Sequence, residues 1–334
     1  MSLQEKYCLV TGGAGFIGSH LVDKLIEKGC RVRVLDNLSN GQRSNIEHHE
    51  GNPKFDFMEG DVADQNDANS ALAGIDVVFH LACLGVRHSL SFPLENQRTN
   101  GTGTLVICEA ARQVGVEKFI YCSTSEVYGT AETVPMDENH PTKPSTVYGA
   151  SKLAGEKYAL AYHEAYGMDT MVIRPFNTYG PRSHYEGDSG EMIPKSIVRA
   201  LGGKEILIFG DGSQTRDFTY VEDTAQGFIA AAESEKMIGQ VFNIGSRFEI
   251  SIKDLAQKLV EKIGNADVKM TFTDDRPGDV LRLYSDPSAF MKLCEWVPKT
   301  DFETGLDKTV NYFRNHPFGI DKLNQLEIGR NWKI

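Results

Sequence analysis

A glycine-rich turn near the amino terminus constrains the fold of this 334-residue chain more than any other feature. The apolar run Cys8-Leu9-Val10-Thr11 leads into Gly12-Gly13-Ala14-Gly15-Phe16-Ile17-Gly18, and apolar residues then recur at helical spacing until Gly29. A second apolar run, residues 31–35, ends at Asp36. The pattern predicts a strand, a turn, a helix and a second strand. In such a unit the turn approaches a pyrophosphate and the helix amino terminus attracts it.

Asp36 stands where such a unit carries the acid that binds the adenosine ribose hydroxyls. A carboxylate there repels a 2′-phosphate, so we expect NAD rather than NADP as cofactor. Arg43 lies close by in sequence and would favour the alternative. The glycine spacing is Gly-x-x-Gly-x-x-Gly rather than Gly-x-Gly-x-x-Gly, and the structural alternative is an ordinary tight connection between strand and helix.

Further short apolar runs at 55–58, 77–80, 119–122 and 171–174 alternate with helical segments. This alternation predicts an α/β fold with a Rossmann-type doubly wound parallel sheet. We expect the NAD-binding domain to span residues 1–180, with returns near 215–245, and residues 181–334 to form mostly a smaller, mixed α/β substrate-binding part. Short strands at 205–209 and 241–244 and a helix from Ser251 to Ile263 are expected in that part.

Ligands of such a sheet lie at the carboxyl ends of its strands, so the residues that follow each strand are candidates for binding NAD. Two of these candidates, Asp61 and the helix-starting Asn100, could equally be helix caps. The full set of expected cofactor-binding residues is Gly12, Gly15, Phe16, Ile17, Gly18, Asp36, Asn37, Asp61, Val62, Leu81, Ala82, Cys83, Asn100, Ser123, Tyr148, Lys152 and Pro175.

Tyr148 and Lys152 are four residues apart, which places both side chains on one face of a helix. A free tyrosine has a pKa of about 10, and a neighbouring ammonium favours its phenolate, so the pair suits a general base. Thr124, Ser125 and Glu126 precede the pair and add hydroxyls and a carboxylate. By itself a Tyr-x-x-x-Lys pair also describes two solvated side chains.

The formal net charge of −11 argues against a nucleic-acid partner and means that an anionic ligand needs a local cluster of arginines. The six cysteines show no C-x-x-C motif, and several lie in apolar runs, which favours buried free thiols over disulfides or metal ligands. We therefore expect no metal and a cytoplasmic protein. Neither a signal peptide nor an apolar stretch of about 18 residues is evident, so no membrane partner is expected.

Taken together, the motifs resemble those of the extended short-chain dehydrogenase/reductase family, specifically its nucleotide-sugar epimerases, dehydratases and decarboxylases. The resemblance runs from end to end. It rests on the blocks Thr11 to Gly18, Asp36-Asn37-Leu38, Gly60-Asp61-Val62, His80-Leu81-Ala82, Ser123 to Gly129, Tyr148-x-x-x-Lys152, Arg174 to Pro181, Gly210-Asp211-Gly212-x-x-x-Arg216-Asp217 and Arg276-Pro277-Gly278-Asp279. Cys83 departs from the second alanine that many relatives have.

The resemblance implies roles for individual residues. Thr124 is expected to hydrogen-bond the sugar 4-hydroxyl, Tyr148 to take its proton, and Lys152 to hold the nicotinamide ribose and lower the tyrosine pKa. The nucleotide diphosphate is expected to lie against Asn177, Arg216 and Arg276, with Arg282 as a weaker candidate.

Glu126 selects among the reactions of this family. A C4-epimerase only returns the hydride to the opposite face, whereas a 4,6-dehydratase must also remove the C5 proton and expel the C6 hydroxyl, for which Glu126 is the candidate base. Ser125 occupies the position of the aspartic acid in Asp-Glu dehydratases, and the same Thr-Ser-Glu triplet occurs in UDP-glucuronate decarboxylases. We favour a dehydratase acting on a UDP-hexose or UDP-N-acetylhexosamine. The decarboxylase, the epimerase and a non-catalytic NAD-binding regulator are the alternatives.

Two further expectations concern loops and assembly. The insertion at residues 183–191 is interpreted either as a lid or specificity loop or as a plain solvated loop, with His184, Tyr185 and Glu191 as its only plausible chemical contributors. The family implies a homodimer built on two helices of each subunit, for which Gly101 to Val114 and Tyr148 to Tyr166 are the candidates.

Overall fold

Twelve strands and twelve α-helices form the part of the chain that the computed structural model describes, residues 2–265 and 267–332. In chain order the strands are β1 (Tyr7–Thr11), β2 (Arg31–Asp36), β3 (Phe55–Glu59), β4 (Val77–His80), β5 (Lys118–Cys122), β6 (Thr170–Pro175), β7 (Asn177–Tyr179), β8 (Ile206–Phe209), β9 (Thr215–Tyr220), β10 (Val241–Ile244), β11 (Glu249–Ser251) and β12 (Met270–Thr273). The helices are α1 (Phe16–Glu27), α2 (Gln65–Leu72), α3 (Val86–Ser91), α4 (Pro93–Gln97), α5 (Gly103–Val114), α6 (Val147–Tyr166), α7 (Met192–Leu201), α8 (Val221–Glu233), α9 (Ile252–Ile263), α10 (Ser288–Cys294), α11 (Phe302–Arg314) and α12 (Gly319–Leu326).

Seven parallel strands make the central sheet, in the order β10-β6-β5-β4-β1-β2-β3. The strand order reverses direction between β1 and β4, and the carboxyl ends of the strands at such a switch point border a crevice. This confirms the predicted Rossmann-type sheet. Every residue of β4, β5 and β6 is buried, as expected for parallel strands that are covered on both faces.

Helices cover both faces of this sheet and create two separate apolar cores. On one face, α1 and α8 pack against each other and bury Leu21, Leu25 and Phe228 with sheet residues such as Val10 and Phe79. On the other face, α2, α5 and α6 bury Ala71, Ile107 and Ala159 against Leu9 and Phe119. The layered arrangement fixes the glycine turn and α6 at the same edge of the sheet.

A smaller part, formed by the second half of the chain, has its own core. Its strands form a three-stranded sheet, β11-β9-β7, and a parallel pair, β12 and β8. Residues of α7, α9 and α11, among them Ile197, Leu255 and Leu306, pack against Ile208. The strand at 241–244 was expected both in this part and within the returns near 215–245. It belongs to the large sheet, where β10 pairs in parallel with β6 as the edge strand. The boundary at residue 180 stays a prediction.

A buried ion pair ties helix α6 to the sheet. Glu156, on α6, is fully buried, and both its carboxylate oxygens accept hydrogen bonds from Arg174 of β6, at 2.8 and 2.7 Å. Ser123, at the end of β5, donates a further hydrogen bond to Glu156. Arg174 also donates to the Tyr128 hydroxyl at 2.8 Å, and Tyr128 donates to Asn243 of β10 at 2.7 Å. The network therefore joins α6 to three neighbouring strands.

Within residues 2–265 and 267–332, no helix is both long enough and apolar enough to cross a bilayer.

Breaking the Glu156–Arg174 pair from one side is expected to destabilise the protein strongly. An Arg174→Met variant leaves the Glu156 carboxylate buried without its counter-ion, which should lower the free energy of unfolding by about 3–5 kcal/mol. The control is Arg112→Met, which removes an arginine paired with Glu109 at the surface and should cost far less. Denaturant titration of both variants measures the difference. Equal losses of unfolding free energy in the two variants would show that the buried pair stabilises the protein no more than the surface pair does.

Candidate active site

The glycine turn lies in direct contact with the loop that follows β4. Gly12 has a φ of +69°, and a Cβ atom at this position would lie 2.8 Å from the backbone nitrogen of Ala82. A Cβ at Gly18 would collide with the carbonyl of Gly12. Both positions therefore require glycine, because side chains there would separate the turn from its neighbours. Five residues of this segment line a large cleft: Gly12, Gly15, Phe16, Ile17 and Gly18.

Asp36 reaches the same cleft from the end of β2. Its Oδ2 accepts a hydrogen bond from the backbone nitrogen of Ala14 and its Oδ1 one from Leu38, both at 2.9 Å. Burial raises the pKa of this carboxyl, and the two backbone donors oppose the shift. Arg43 is engaged elsewhere, since it pairs with Glu50 at 2.9 Å and lies 3.8 Å from the Phe57 ring. Arg43, the residue that could have favoured a 2′-phosphate, therefore contacts other side chains.

Most of the other expected cofactor residues also line the cleft, but Asp61 does not. The cleft residues are Asn37, Val62, Leu81, Ala82, Cys83, Ser123, Tyr148, Lys152 and Pro175. The Asp61 carboxylate accepts hydrogen bonds from Arg98 at 2.7 Å and from the backbone of Ala63 at 2.9 Å. Its reading as a helix cap was wrong, since the cap of α2 is Asp64.

Asn100 is the second departure from the expectation. It does not begin a helix, because α4, a π-helical turn over Arg98–Thr102 and α5 follow one another without a break. The buried side chain accepts a hydrogen bond from the Leu84 backbone nitrogen at 2.8 Å and donates one to the Leu84 carbonyl at 3.0 Å. Asn100 thus holds the loop that borders the cleft without lining the cleft itself.

The candidate catalytic side chains come from β5 and α6. Thr124 begins a short 3₁₀ turn after β5, and its hydroxyl accepts a hydrogen bond from the backbone of Glu126 at 3.2 Å. Thr146 caps α6 by accepting from Gly149 at 3.1 Å, which directs the first turn of the helix towards that strand end. Thr124, Ser125, Glu126, Tyr148 and Lys152 consequently line one cleft, as the sequence predicts.

Opposing effects act on the pKa of Tyr148. Burial raises the pKa of this phenol, and the nearby Cys83 adds to the increase. Lys152 lowers it, as predicted, and so does Thr124. The net shift in the protein alone is upward, because desolvation of the phenolate outweighs one neighbouring cation.

Lys152 remains a cation although it is almost fully buried. Burial alone would lower its pKa, but the surrounding phenols and thiols, first of all Tyr121, raise it overall. The ammonium lies 4.5 Å from the centre of the Tyr121 ring, and the Tyr121 hydroxyl donates to the Lys152 carbonyl at 3.1 Å. Gly155 makes this contact possible, since a Cβ there would collide with the Tyr121 hydroxyl.

Glu126 is a half-buried carboxylate beside this pair. Burial raises its pKa, while Arg216, Arg276 and Arg87 lower it. Among the described residues, no hydrogen bond or ion pair engages its carboxylate oxygens. A carboxyl group with no fixed partner in the protein is free to exchange a proton with a bound ligand.

Two of the expected diphosphate ligands meet on one carboxylate. Arg216 donates to Asp279 at 2.8 Å, and Arg276 donates to the same oxygen. Asn177 also lines the cleft, and its buried Oδ1 has no hydrogen-bond partner in the described part of the chain. Arg282 is outside the cleft, where it is exposed and forms a bidentate pair with Glu249 at 2.6 and 2.7 Å. Its role in the anionic pocket stays a prediction.

Several cleft residues were missed by the sequence reasoning. Arg87, on α3, lies close enough to Glu126 and Glu191 for their charges to act on it, and burial followed by the nearby Arg276 lowers its pKa to about 10. Its position shortly after β4 was the available signal, since that strand ends at the cleft. Lys195 and Arg199 of α7 also line the cleft, and burial, then Arg87, lowers the pKa of Lys195 to about 8.

The insertion at 183–191 forms part of the cleft wall rather than a solvated loop. His184 and Glu191 line the cleft, together with Asp188, Ser189 and Gly190. Tyr185 instead packs into the smaller core, with its ring 5.8 Å from that of Phe313. Gln42 reaches the insertion from the large domain through a hydrogen bond to Glu186 at 2.7 Å.

The fold and this site define a class of protein: a Rossmann-type sheet with a tyrosine, a lysine and a threonine in the cleft at the ends of its strands. The chain belongs to the NAD dependent epimerase/dehydratase family, whose sequence model matches residues 8–245. NAD is the cofactor of this family, and the glycine turn and Asp36 could hold its pyrophosphate and ribose. The assembly of two copies of the chain into a homodimer stays a prediction.

Known relatives with this architecture carry out different reactions. A putative UDP-glucose 4-epimerase of Methanocaldococcus jannaschii is 37% identical over 92% of this chain and 98% of its own length. A dTDP-glucose 4,6-dehydratase of an Actinoplanes species is 35% identical, over 92% and 97%. The solved structure of DesIV, a dTDP-glucose 4,6-dehydratase of Streptomyces venezuelae with NAD bound, has a TM-score of 0.90 and 30% identity, and covers 95% of this chain and 99% of that one.

Removing the charge of Lys152 should move the pH dependence of the first chemical step. A tyrosine acting as base must lose its proton, and Lys152 lowers the Tyr148 pKa, so a Lys152→Met variant should need a higher pH. At saturating NAD the rate of NADH formation should rise with pH, and we expect the midpoint of that rise to move up by at least about one pH unit in the variant. At neutral pH the variant should therefore form NADH about ten-fold more slowly. Lys157→Met, an exposed lysine on the same helix, is the control. An unchanged profile in Lys152→Met would contradict the assignment.

Proposed function

We propose that the protein is an NAD-dependent nucleotide-sugar 4,6-dehydratase that acts on a UDP-hexose or UDP-N-acetylhexosamine. The single observation that carries this proposal is Glu126, a carboxyl group without a fixed partner beside Thr124 and Tyr148. An enzyme that only transfers hydride to and from C4 has no use for a carboxyl base there.

The first step is oxidation at C4 of the sugar. Bound NAD supplies the hydride acceptor. Thr124 hydrogen-bonds the 4-hydroxyl, Tyr148 takes the hydroxyl proton, and Lys152 holds the nicotinamide ribose while its charge stabilises the phenolate. Thr124 lies close enough to Tyr148 to lower its pKa, which supports this arrangement because both hydroxyls can then reach one reacting group.

The second step is loss of water across C5 and C6. The C4 ketone acidifies the C5 proton, which Glu126 takes and passes to the departing C6 hydroxyl, so that water leaves without a second acid. The raised pKa of Glu126 supports both halves of this transfer. The reduced cofactor would supply the hydride that C6 needs. C5 takes a proton from an exchangeable group of the site, and the proton that Tyr148 removed from the 4-hydroxyl balances it. Ser125, which is buried beside Glu126, supplies a hydroxyl where other dehydratases have an aspartic acid.

The diphosphate of the substrate lies against Arg216 and Arg276 in this proposal. Both guanidiniums pair with Asp279. Because one carboxylate balances only one of the two cations, a positive charge remains for a ligand. Paired guanidiniums match the fork geometry of phosphate oxygens. Asn177 also lines the cleft, and its side-chain NH2 group is a donor that suits the same anion.

C4-epimerisation is the second candidate reaction. It is favoured by the 37% identity to a putative UDP-glucose 4-epimerase, which exceeds the 35% identity to the dTDP-glucose 4,6-dehydratase. Epimerisation would use Thr124, Tyr148 and Lys152 in the same way and leave Glu126 without a chemical task. The role of Glu126 therefore separates the two candidates.

A panel of UDP-, dTDP-, GDP- and CDP-hexoses and UDP-glucuronate tests the reaction class. We expect a UDP-hexose to lose the mass of one water and to give a 4-keto product, measured by mass spectrometry. A product of unchanged mass from the same sugar would establish the epimerase. Loss of carbon dioxide from UDP-glucuronate alone would establish the decarboxylase, and reduction of NAD by no sugar at all would support a non-catalytic regulator.

A Glu126→Gln variant separates oxidation from dehydration. The amide cannot take the C5 proton, so we expect C4 oxidation to persist, seen as NADH absorbance, while dehydration falls by about 10²–10⁴-fold. The matched control is Ser125→Ala, which removes a neighbouring hydroxyl and should cost less than about ten-fold. Normal dehydration by Glu126→Gln would refute the proposed role.

A further inference from the structure

The carboxyl-terminal segment Glu327–Trp332 folds onto the cleft. Gly329 and Asn331 line it, and the Gly329 carbonyl accepts a hydrogen bond from Lys195 of α7 at 2.9 Å. The Glu327 carboxylate lies 2.9 Å from Arg199 and 3.7 Å from Lys195. Trp332 packs against Phe209 of β8 with ring centres 4.7 Å apart. The segment is therefore anchored to both elements that form this wall.

Buried polar atoms without hydrogen bonds are frequent in and next to this segment. Among the described residues, eight buried side-chain nitrogen or oxygen atoms lack a hydrogen bond, and four of them lie between residues 324 and 332. Glu327 Oε1, Asn331 Oδ1 and Trp332 Nε1 belong to the segment, and Asn324 Oδ1 precedes it on α12. Glu327 Oε1 still has Lys195 at 3.7 Å. An unpartnered buried acceptor is costly, so one in a residue that lines a cleft points to a ligand that completes it.

Asn331 is the group among these four that also lines the cleft. The residue is only 2% exposed, and its Nδ2 donates to the carbonyls of Gly190 at 2.9 Å and Asp188 at 3.4 Å. Two acceptors on one side of the amide fix its orientation, so that Oδ1 is the acceptor left over.

The proposed function, on which this inference rests, indicates which part of the substrate lies near Asn331. With NAD on the glycine turn, the sugar beside Glu126 and the diphosphate on Arg216 and Arg276, the part of the cleft left for the nucleoside is the wall of α7 and β8. Apolar side chains of that wall, Met192, Leu207 and Phe209, suit the faces of a base.

We propose that Asn331 is a base-reading residue and that the carboxyl-terminal segment is part of the nucleoside site. Its Oδ1 accepts a hydrogen bond from the ring N–H of an imide base, uracil or thymine. Cytosine has no ring N–H at that edge and would leave the acceptor unpaired. The segment thereby selects a uridine or thymidine diphosphate over a cytidine diphosphate.

Equilibrium binding of nucleoside diphosphates to the NAD-loaded protein tests the inference. The wild-type protein should bind UDP about ten-fold more tightly than CDP, the effect of one hydrogen bond to a buried acceptor. Asn331→Leu should lose this preference, with UDP weakened about ten-fold and CDP changed less than two-fold. A parallel titration with dTDP identifies which imide base binds more tightly.

The matched control is Asn324→Leu, which removes a second amide of the same region whose residue does not line the cleft. Its Nδ2 donates to the Val198 carbonyl at 3.1 Å, so the structural loss is similar, and the ratio of UDP to CDP affinity should not change. An unchanged ratio in Asn331→Leu, or equal weakening of both ligands, would overturn the inference. If that variant does not fold, binding of N3-methylated UDP to the wild-type protein is measured instead. An affinity equal to that of UDP would likewise overturn the inference.

Measurements of binding and of turnover distinguish a failure of the base-reading role from a failure of the proposed function. A wild-type protein that prefers UDP in the predicted way but converts no nucleotide sugar contradicts the proposed function alone. One that dehydrates a UDP-hexose while Asn331→Leu keeps its preference contradicts the base-reading role alone.

Discussion

The buried pair of Glu156 and Arg174 is the interaction on which the geometry of this site most depends. Tyr148, Lys152 and Glu156 are spaced by four residues on α6 and so share one face of the helix. Two of them meet the cleft, and the third is held by β6 and by Ser123 of β5. Because Ser123 adjoins Thr124, the same network positions the strand end that carries the hydroxyl and the carboxylate. A charged anchor, unlike an apolar contact, fixes direction as well as distance.

The cleft is richer in cations than the protein as a whole. The chain carries a net charge of −11, yet the lysines and arginines that line the cleft outnumber its carboxylates. The cations are Arg87, Lys152, Lys195, Arg199, Arg216 and Arg276, and the carboxylates are Asp36, Glu126, Asp188, Glu191 and Asp279. Some cations share a partner, as Arg216 and Arg276 share Asp279 and as Lys195 and Arg199 share Glu327. The cleft therefore offers cations to an anionic ligand of an otherwise acidic protein.

Local pattern predicted the sheet and most of the site, because strand ends in a parallel sheet converge by rule. Thr124 and Asp36 could be found that way, and Tyr148 by its helical spacing from Lys152. What the local pattern could not give depended on tertiary contacts. Arg282 pairs with Glu249 outside the cleft, Asn100 lies inside a continuous helical segment, and burial outweighs the effect of Lys152 on the Tyr148 pKa. Arg87 and Asn331 carry no motif, and only the folded chain brings them to the cleft.

Solvent deuterium tests the central claim, that a carboxyl base acts at C5 within a C4 hydride-transfer site. The protein is incubated in D₂O with the UDP-hexose that it converts, and the product is examined by NMR and mass spectrometry. Proton removal by Glu126 and return from exchangeable groups predicts a 4-keto-6-deoxy sugar with deuterium at C5. A product that keeps its C5 hydrogen and its C6 hydroxyl would contradict the account.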